Sequence, residues 1–278
     1  MTKDPGTTNP VATDPSRLLD IAVDAAHAAA EHVVTRRPRG QLHVAATKSS
    51  ATDIVTVMDQ QAEALLVERI TAARPDDGFL GEEGASREGT SGVTWVVDPI
   101  DGTVNYLYEI PSYAVSVAAR TAEGVVAGVV VNPVSGETWT AVRGEGARLD
   151  DRPIRVNKAP ELSMALVSTG FGYTSAQRAR QAEVLHLLLP RIRDIRRAGA
   201  ATLDLCALAC GRVDAYYEQG LKPWDLAAGG LIAEESGAVV GGLRGRPAGE
   251  ALVVAAPPGL FERLVVLLTE FDADRVTG

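Results

Sequence analysis

The sequence predicts a mixed fold, α+β over its first half and α/β over its second. Three observations support that division. Apolar residues recur at helical spacing near the N-terminus, β-branched runs crowd the middle, and strand-like and helix-like pieces alternate from about residue 165 onward. The 278 residues can bury one large core or two modest ones, and 46% hydrophobic with 23% charged content is ordinary globular composition.

Residues 1–13 (MTKDPGTTNPVAT) are polar and rich in Pro, Thr and Gly, and read as a disordered tail. Asp14-Pro15 reads as an N-cap followed by proline at the first helical position. Leu18, Leu19, Ala22, Val23, Ala26 and Ala30 then repeat at helix spacing. Gly40–Lys48 reads as irregular. A second helix runs from about Val57 to Ala73, with Ala62, Leu65, Leu66 and Ile70 on one face.

Strands follow. Val93–Val97 is a short apolar run ending at Asp98, Tyr113–Ala119 alternates, Val125–Val131 is β-branched, and Glu137–Val142 follows a turn over 132–136. The Gly/Asp-rich stretch from Gly144 to Pro153 reads as a hairpin turn region and a boundary between subdomains 14–150 and 151–278. Beyond it, strands are expected at Ala165–Ser168, Ile195–Arg197, Asp214–Tyr217, Ala238–Val240 and Leu252–Ala255. Helices are expected near Ala176–Leu189, Ala200–Gly211, Pro223–Gly237 and Gly259–Phe271.

The formal net charge is -9, from 27 Lys+Arg against 36 Asp+Glu, with no long basic run. Direct nucleic-acid binding through phosphate neutralisation is therefore not expected. No apolar run approaches the roughly 18 residues of a membrane span, and no signal peptide is evident, so a cytoplasmic protein without membrane contact is expected. Cys206 and Cys210 stand at i, i+4 in an apolar run and read as small, buried, reduced side chains rather than metal ligands. His27, His32, His43 and His186 are scattered and read as surface or packing residues, and Trp95 and Trp224 as core.

Chemistry concentrates at Val96-Val97-Asp98-Pro99-Ile100-Asp101-Gly102-Thr103. A strand delivers Asp98 at its end, proline stops the ladder, and a tight turn brings Asp101 toward the same volume. Two like charges held that close repel unless a cation lies between them. Gly102 lets backbone approach a ligand, and the amides of Gly102 and Thr103 open a helical turn that favours phosphate. Such a string alone is most often a solvated surface turn. Further acids raise its weight: Glu82 and Glu83 after the strand-like Phe79-Leu80-Gly81, Asp53 and Asp59 after Lys48-Ser49-Ser50, and Asp225 in Pro223-Trp224-Asp225 at a helix start.

Taken in order, Lys48-Ser-Ser, Asp53 to Asp59, Gly81-Glu-Glu83, Trp95 to Thr103, Asp214-Ala-Tyr-Tyr-Glu218 and Trp224-Asp225 resemble the inositol monophosphatase family, from roughly Arg17 to Phe271. The resemblance implies a layered α/β/α/β/α sandwich of the type shared with fructose-1,6-bisphosphatase, commonly a lithium-sensitive homodimer. It implies that Glu82, Asp98, Asp101, Asp225 and the Ile100 carbonyl hold two or three Mg²⁺, which suits hard oxygen donors. It assigns the attacking water to Thr103, Asp59 and Glu82. Substrate contacts would come from Asp101, Gly102, Thr103, Asp225, Glu218 and the loop Gly199-Ala200-Ala201. Ala200 departs from the family's hydroxyl-bearing residue there. Arg196 and Arg197 could aid the anion electrostatically, and otherwise read as a solvated strand end. The implied substrate is a phosphorylated polyol, inositol monophosphate first, with sugar, histidinol or nucleotide 3′-phosphates as alternatives. Some bacterial proteins resembling this family are also RNA-linked regulatory binding proteins.

Overall fold

The computed structural model describes residues 14–37, 46–47 and 54–275. The tail 1–13, most of the stretch read as irregular, and Lys48, Ser49, Ser50 and Asp53 lie outside them. Helix α1 spans Pro15–Thr35, and the Asp14 side chain accepts the Ser16 N–H, so the expected start holds. The short pair β1 (Ala46–Thr47) and β2 (Ile54–Val55) precedes α2 (Val57–Ala73).

Strands β3 (Gly78–Gly81), β4 (Ser86–Arg87), β5 (Thr94–Asp101), β6 (Ala114–Thr121), β7 (Gly124–Val131), β8 (Thr138–Val142), β9 (Gly146–Leu149) and β10 (Arg152–Ile154) form an eight-stranded sheet, with α3 (Thr103–Leu107) between β5 and β6. Its order is β10-β9-β8-β7-β6-β5-β3-β4, antiparallel except for the β3–β5 pair. Asp150 and Asp151 both take positive φ, as a two-residue hairpin between β9 and β10 demands. Pairing thus crosses residue 150 and ends at Ile154. We propose that the division between the halves lies just beyond that last strand.

The second half adds β11 (Leu166–Thr169), α4 (Ser175–Leu188), β12 (Asp194–Arg196), α5 (Ala201–Ala209), β13 (Ala215–Glu218), α6 (Pro223–Glu235), β14 (Val239–Gly241), β15 (Val253–Ala256) and α7 (Leu260–Glu270). Its five-stranded sheet runs β12-β11-β13-β15-β14 and mixes parallel with antiparallel pairs. Every strand and helix expected in this half is present within a few residues.

Side-chain alternation sets the layers. On β5, Trp95 and Val97 pack under α1 and α2 with Leu18, Ala22 and Leu66, whereas Val96 faces the other way with Leu231 and Ile232 of α6 and Cys206 of α5. The opposite side of α5 and α6 carries Leu205, Leu208 and Ala233, which meet Tyr216, Val253 and Ala255 of the second sheet. The outer face of that sheet, through Val167, Tyr217 and Val254, is covered by Val184 and Leu188 of α4 and Leu264 and Leu268 of α7. The result is an α/β/α/β/α sandwich in which the α5–α6 pair serves both sheets.

Cys206 is buried and Cys210 half-buried, both free thiols. Trp95 is fully buried and its Nε1 donates to Asp77 at 2.8 Å, while Trp224 is half-buried against the α5–α6 layer. His27 and His32 make only long side-chain contacts, with Thr138 and Gln61.

Leu205 is fully buried between the central helices and the second sheet. Leu205→Ala should therefore lower unfolding free energy by about 2–5 kcal/mol. Urea titration checks this, and a loss under about 1 kcal/mol would show that the central layer is not a packed core.

Candidate metal and phosphate site

Strand β5 ends in a register shift between Asp98 and Asp101, with Pro99 inside it, so both carboxylates leave the sheet toward one side. Asp98 is 1% exposed and Asp101 8% exposed. One carboxylate oxygen from each of Asp98, Asp101 and Asp225 lies within 4.8 Å of the others. Glu82, just past β3, faces Asp98 and Asp225 closely enough for its charge to act on both. The Asp98 carboxyl is driven well above the usual carboxylate range, chiefly by burial and then by Glu82, Asp101 and Asp225. Asp225 rises well above that range for the same reasons, with burial again foremost.

Asp98, Asp101 and Asp225 are also held by backbone. Asp98 Oδ1 accepts the Ile100 N–H at 3.1 Å, while its Oδ2 is buried with no donor aimed at it. Asp225 sits in the first turn of α6 and accepts the Lys222 N–H at 2.6 Å. Asp101 accepts the N–H groups of Ala201 at 3.3 Å and Thr202 at 2.7 Å, together with the Thr202 hydroxyl. It thus caps α5, whose own N-cap residue, Ala200, makes no side-chain cap bond. Burial raises the Asp101 pKa, and these three donors oppose the rise.

Asp59 is fully buried at the third position of α2. Its Oδ2 accepts the N–H of Thr56 at 2.8 Å and the Thr56 hydroxyl, forming a capping box. Its Oδ1 lies 3.1 Å from Thr103 Oγ1, which is equally 3.1 Å from the Ile100 carbonyl. The single hydroxyl proton of Thr103 can serve only one of these acceptors, and the oxygen keeps lone pairs for a water. Burial raises the Asp59 pKa to about 6, and the Thr56 bonds oppose the rise.

Gly102 takes φ 92° as the N-cap of α3, and a Cβ there would stand 3.0 Å from Ser112 O and 3.2 Å from both Ala200 Cβ and Gly199 O. The positive φ favours glycine, and the close neighbours leave a side chain little room. Gly199 and Ala200 therefore lie against Gly102, and Asn105 Nδ2 ties this loop down by donating to Ala198 O at 2.8 Å and Ser112 O at 2.6 Å. Glu218 ends β13, accepts the Tyr216 hydroxyl at 2.8 Å, and is raised by burial to about 7. Among the described residues, Asp59, Glu82, Asp98, Ile100, Asp101, Gly102, Thr103, Gly199, Ala200, Glu218 and Asp225 lie in one region. Glu83 directs its N–H to Glu63 rather than to the acid cluster.

Asp204, Asn105 and Glu63 were missed in the sequence. Asp204 is 3% exposed beside Glu218 and Asp101, and burial lifts it to about 8. Arg197 is exposed, yet its charge lowers both Asp204 and Glu218, whereas Arg196 pairs with Asp194. Asn105 and Glu63 act through backbone contacts. An apolar helix face gave no cue to Asp204, and the partners of the others are distant in sequence.

A donor set of clustered carboxylates, with an orphaned buried oxygen on Asp98, fits a hard divalent cation. The sequence model of the inositol monophosphatase family matches residues 14–270. The chain belongs to that family. The family's chemistry is metal-dependent phosphatase action on phosphorylated substrates, for which this acid cluster is suited. Inositol-1-monophosphatase SuhB of Mycobacterium tuberculosis is 45% identical, the match covering 93% of this chain and 96% of that one. The Nus factor SuhB of Vibrio cholerae is 39% identical over 80% of this chain and 84% of its own. Among solved structures, the extragenic suppressor protein suhB of Bartonella henselae superposes with a TM-score of 0.86 at 33% identity, covering 91% of this chain and 99% of that chain. Among the described residues, no helix is long and apolar enough to cross a membrane.

Asp204 carries a pH prediction. Its folded value of about 8 lies above its unfolded value of 3.8, so its stability contribution is full below about pH 4 and is lost as pH rises toward 8. Across that window the metal-free protein should lose up to about 1.4 kcal/mol per pH unit through this group. Asp204→Asn should flatten the slope of unfolding free energy between pH 5 and 8. Parallel slopes for the two proteins would contradict the assignment.

Proposed function

We propose that this chain is a Mg²⁺-dependent phosphomonoesterase that hydrolyses inositol monophosphate to inositol and phosphate. The observation that carries the reading is the convergence of Asp98, Asp101 and Asp225 within 4.8 Å beside Glu82, next to the Thr103–Asp59 pair. Glu82, Asp98, Asp101, Asp225 and the Ile100 carbonyl would hold the cation. Bound there, Mg²⁺ supplies Lewis acidity that acidifies a water and offsets charge on the phosphate and the leaving oxygen. Four carboxylates against two such ions leave the site near neutral, which admits a phosphate dianion into a protein of net charge -9.

The residues of the chain then divide the remaining work. Thr103 Oγ accepts a hydrogen bond from the attacking water while its own proton is directed to Asp59, so the water lone pair is aimed at phosphorus. The N–H groups of Gly102 and Thr103, at the start of α3, receive phosphate oxygens. In-line attack forms the new P–O bond as the bond to the polyol oxygen breaks. The attacking water gives up a proton through Thr103 to Asp59, and the polyol oxygen takes a proton from a solvent water, whose hydroxide is neutralised by the proton Asp59 releases. Glu218 and the Gly199–Ala200 backbone face the polyol hydroxyls. Without a hydroxyl at Ala200, one substrate bond of about 1 kcal/mol is lost, which tunes preference. By the same family reading the protein is a cytoplasmic homodimer inhibited by Li⁺.

A second reading has its own support. The Nus factor relative covers most of this chain, so a regulatory protein partner in a role separate from hydrolysis is a reasonable alternative. The net charge of -9 favours contact with a protein over direct contact with RNA.

One experiment separates these readings. With millimolar Mg²⁺, the purified chain should release phosphate from myo-inositol 1-phosphate faster than from histidinol phosphate, fructose 1,6-bisphosphate or 3′-phosphoadenosine phosphate. Asp98→Asn should lower that rate by more than the about 100-fold typical of losing a ligand's supporting partner. Inositol 1-phosphate among the poorest substrates would sink the substrate assignment. Full rescue of every cellular role by the folded, inactive variant would favour the regulatory reading.

A further inference from the structure

Glu63 lies one helical turn beyond Asp59 on α2, on the same side of the helix, and is 5% exposed. Its carboxylate accepts two backbone donors. Oε2 receives the Glu83 N–H at 2.8 Å and Oε1 the Ala85 N–H at 2.7 Å. Both belong to the turn that leaves β3, which is closed by Gly81 N–H donating to Ala85 O at 2.6 Å. Glu82 is the residue between Gly81 and Glu83, so the side chain facing Asp98 stands on backbone held by Glu63.

The sequence around the turn is shaped for this contact. A Cβ on Gly81 would stand 2.2 Å from Glu63 Oε2 and 2.7 Å from its carboxyl carbon, so only glycine lets the carboxylate reach the turn. Gly84 takes φ 116°, which lets the backbone fold back so that the amides of residues 83 and 85 point the same way. Hydrogen bonds to an ionised acceptor are about twice as strong as neutral ones, and two of them on one carboxylate fix both position and orientation.

We propose that Glu63 is a positioning residue that holds the Gly81–Ala85 turn so that Glu82 is already aimed at the cation site. The proposal rests on the reading that Glu82 and Asp98 bind a divalent cation. Helix α2 then acts as a ruler. Asp59 in its first turn holds Thr103, and Glu63 in the next holds the Glu82 turn, so the water-orienting and cation-binding parts share one rigid support. Both oxygens of Glu63 accept backbone amides of the turn, whereas Glu82 bears directly on Asp98 and Asp225.

The test is a calorimetric titration of the metal-free protein with Mg²⁺, comparing the parent chain, Glu63→Gln and Asp98→Asn. Glutamine keeps the shape but offers one acceptor oxygen, and it sets an NH₂ group against a backbone N–H. Mg²⁺ affinity of Glu63→Gln should fall about 10-fold or more, the usual effect of removing a partner that orients a ligand. Hydrogen exchange at the Glu83 and Ala85 amides should accelerate, and phosphate release should return toward the parent rate at saturating Mg²⁺. If Glu63→Gln does not fold, Gly81→Ala pushes on the same carboxylate and should give the same loss. Unchanged affinity, or unchanged protection of those two amides, in the folded variant overturns the proposal. Undiminished Mg²⁺ binding by Asp98→Asn overturns the cation reading itself, and the two failures are thereby distinguishable.

Discussion

A group of buried and half-buried carboxylates that repel one another is the constraint around which the rest of the molecule is arranged. The charges that bear on Asp98 come from Glu82, Asp101 and Asp225, all of one sign, and burial adds to the penalty. Such a cluster persists because Asp98, Asp101 and Asp225 are also structural acceptors for backbone N–H groups. Asp225 lies in the first turn of α6, Asp59 in the first turn of α2, and Asp101 caps α5. The partial positive ends of these helices offset part of the repulsion and favour an anion in front of them. The same contacts that make the folded chain possible therefore leave a site whose remaining need is for cations.

Asp101 has the widest consequences. It ends a strand of the first sheet and caps a helix of the central layer about 100 residues later, so one side chain joins the two halves at the site. The central layer then fixes α6 beside it, because Leu231 and Ile232 pack on the first sheet while Ala233 faces the second. Asp225 arrives next to Asp98 as a consequence of packing rather than of local sequence.

This explains what could be read in the sequence and what could not. The turn from Asp98 to Thr103 was legible because strand, proline, acids and glycine are contiguous, and the helix start at Pro223 because capping is local. The fold class followed from periodicity, but the order of layers did not, since it depends on which face of each strand meets which helix. The family resemblance supplied that order. Glu63 stayed hidden in a helix where an acid is ordinary, its partners being backbone amides some 20 residues away. Asp204 was hidden for the opposite reason, as a buried acid inside an apolar run. Ala200 reads in sequence as a missing hydroxyl. In the fold it is the buried start of α5, with the cap supplied by Asp101.

The central claim, that a divalent cation relieves the repulsion among these acids, is tested most directly by thermal unfolding of the metal-free protein across a Mg²⁺ series at fixed pH and ionic strength. A ligand that binds only the folded state adds about 2.7 kcal/mol of stability at 100 times its dissociation constant. The account predicts a Tm that climbs steadily with Mg²⁺ into the millimolar range, with a much smaller climb in Asp98→Asn. A Tm indifferent to Mg²⁺, or an equal climb in that variant, would contradict it.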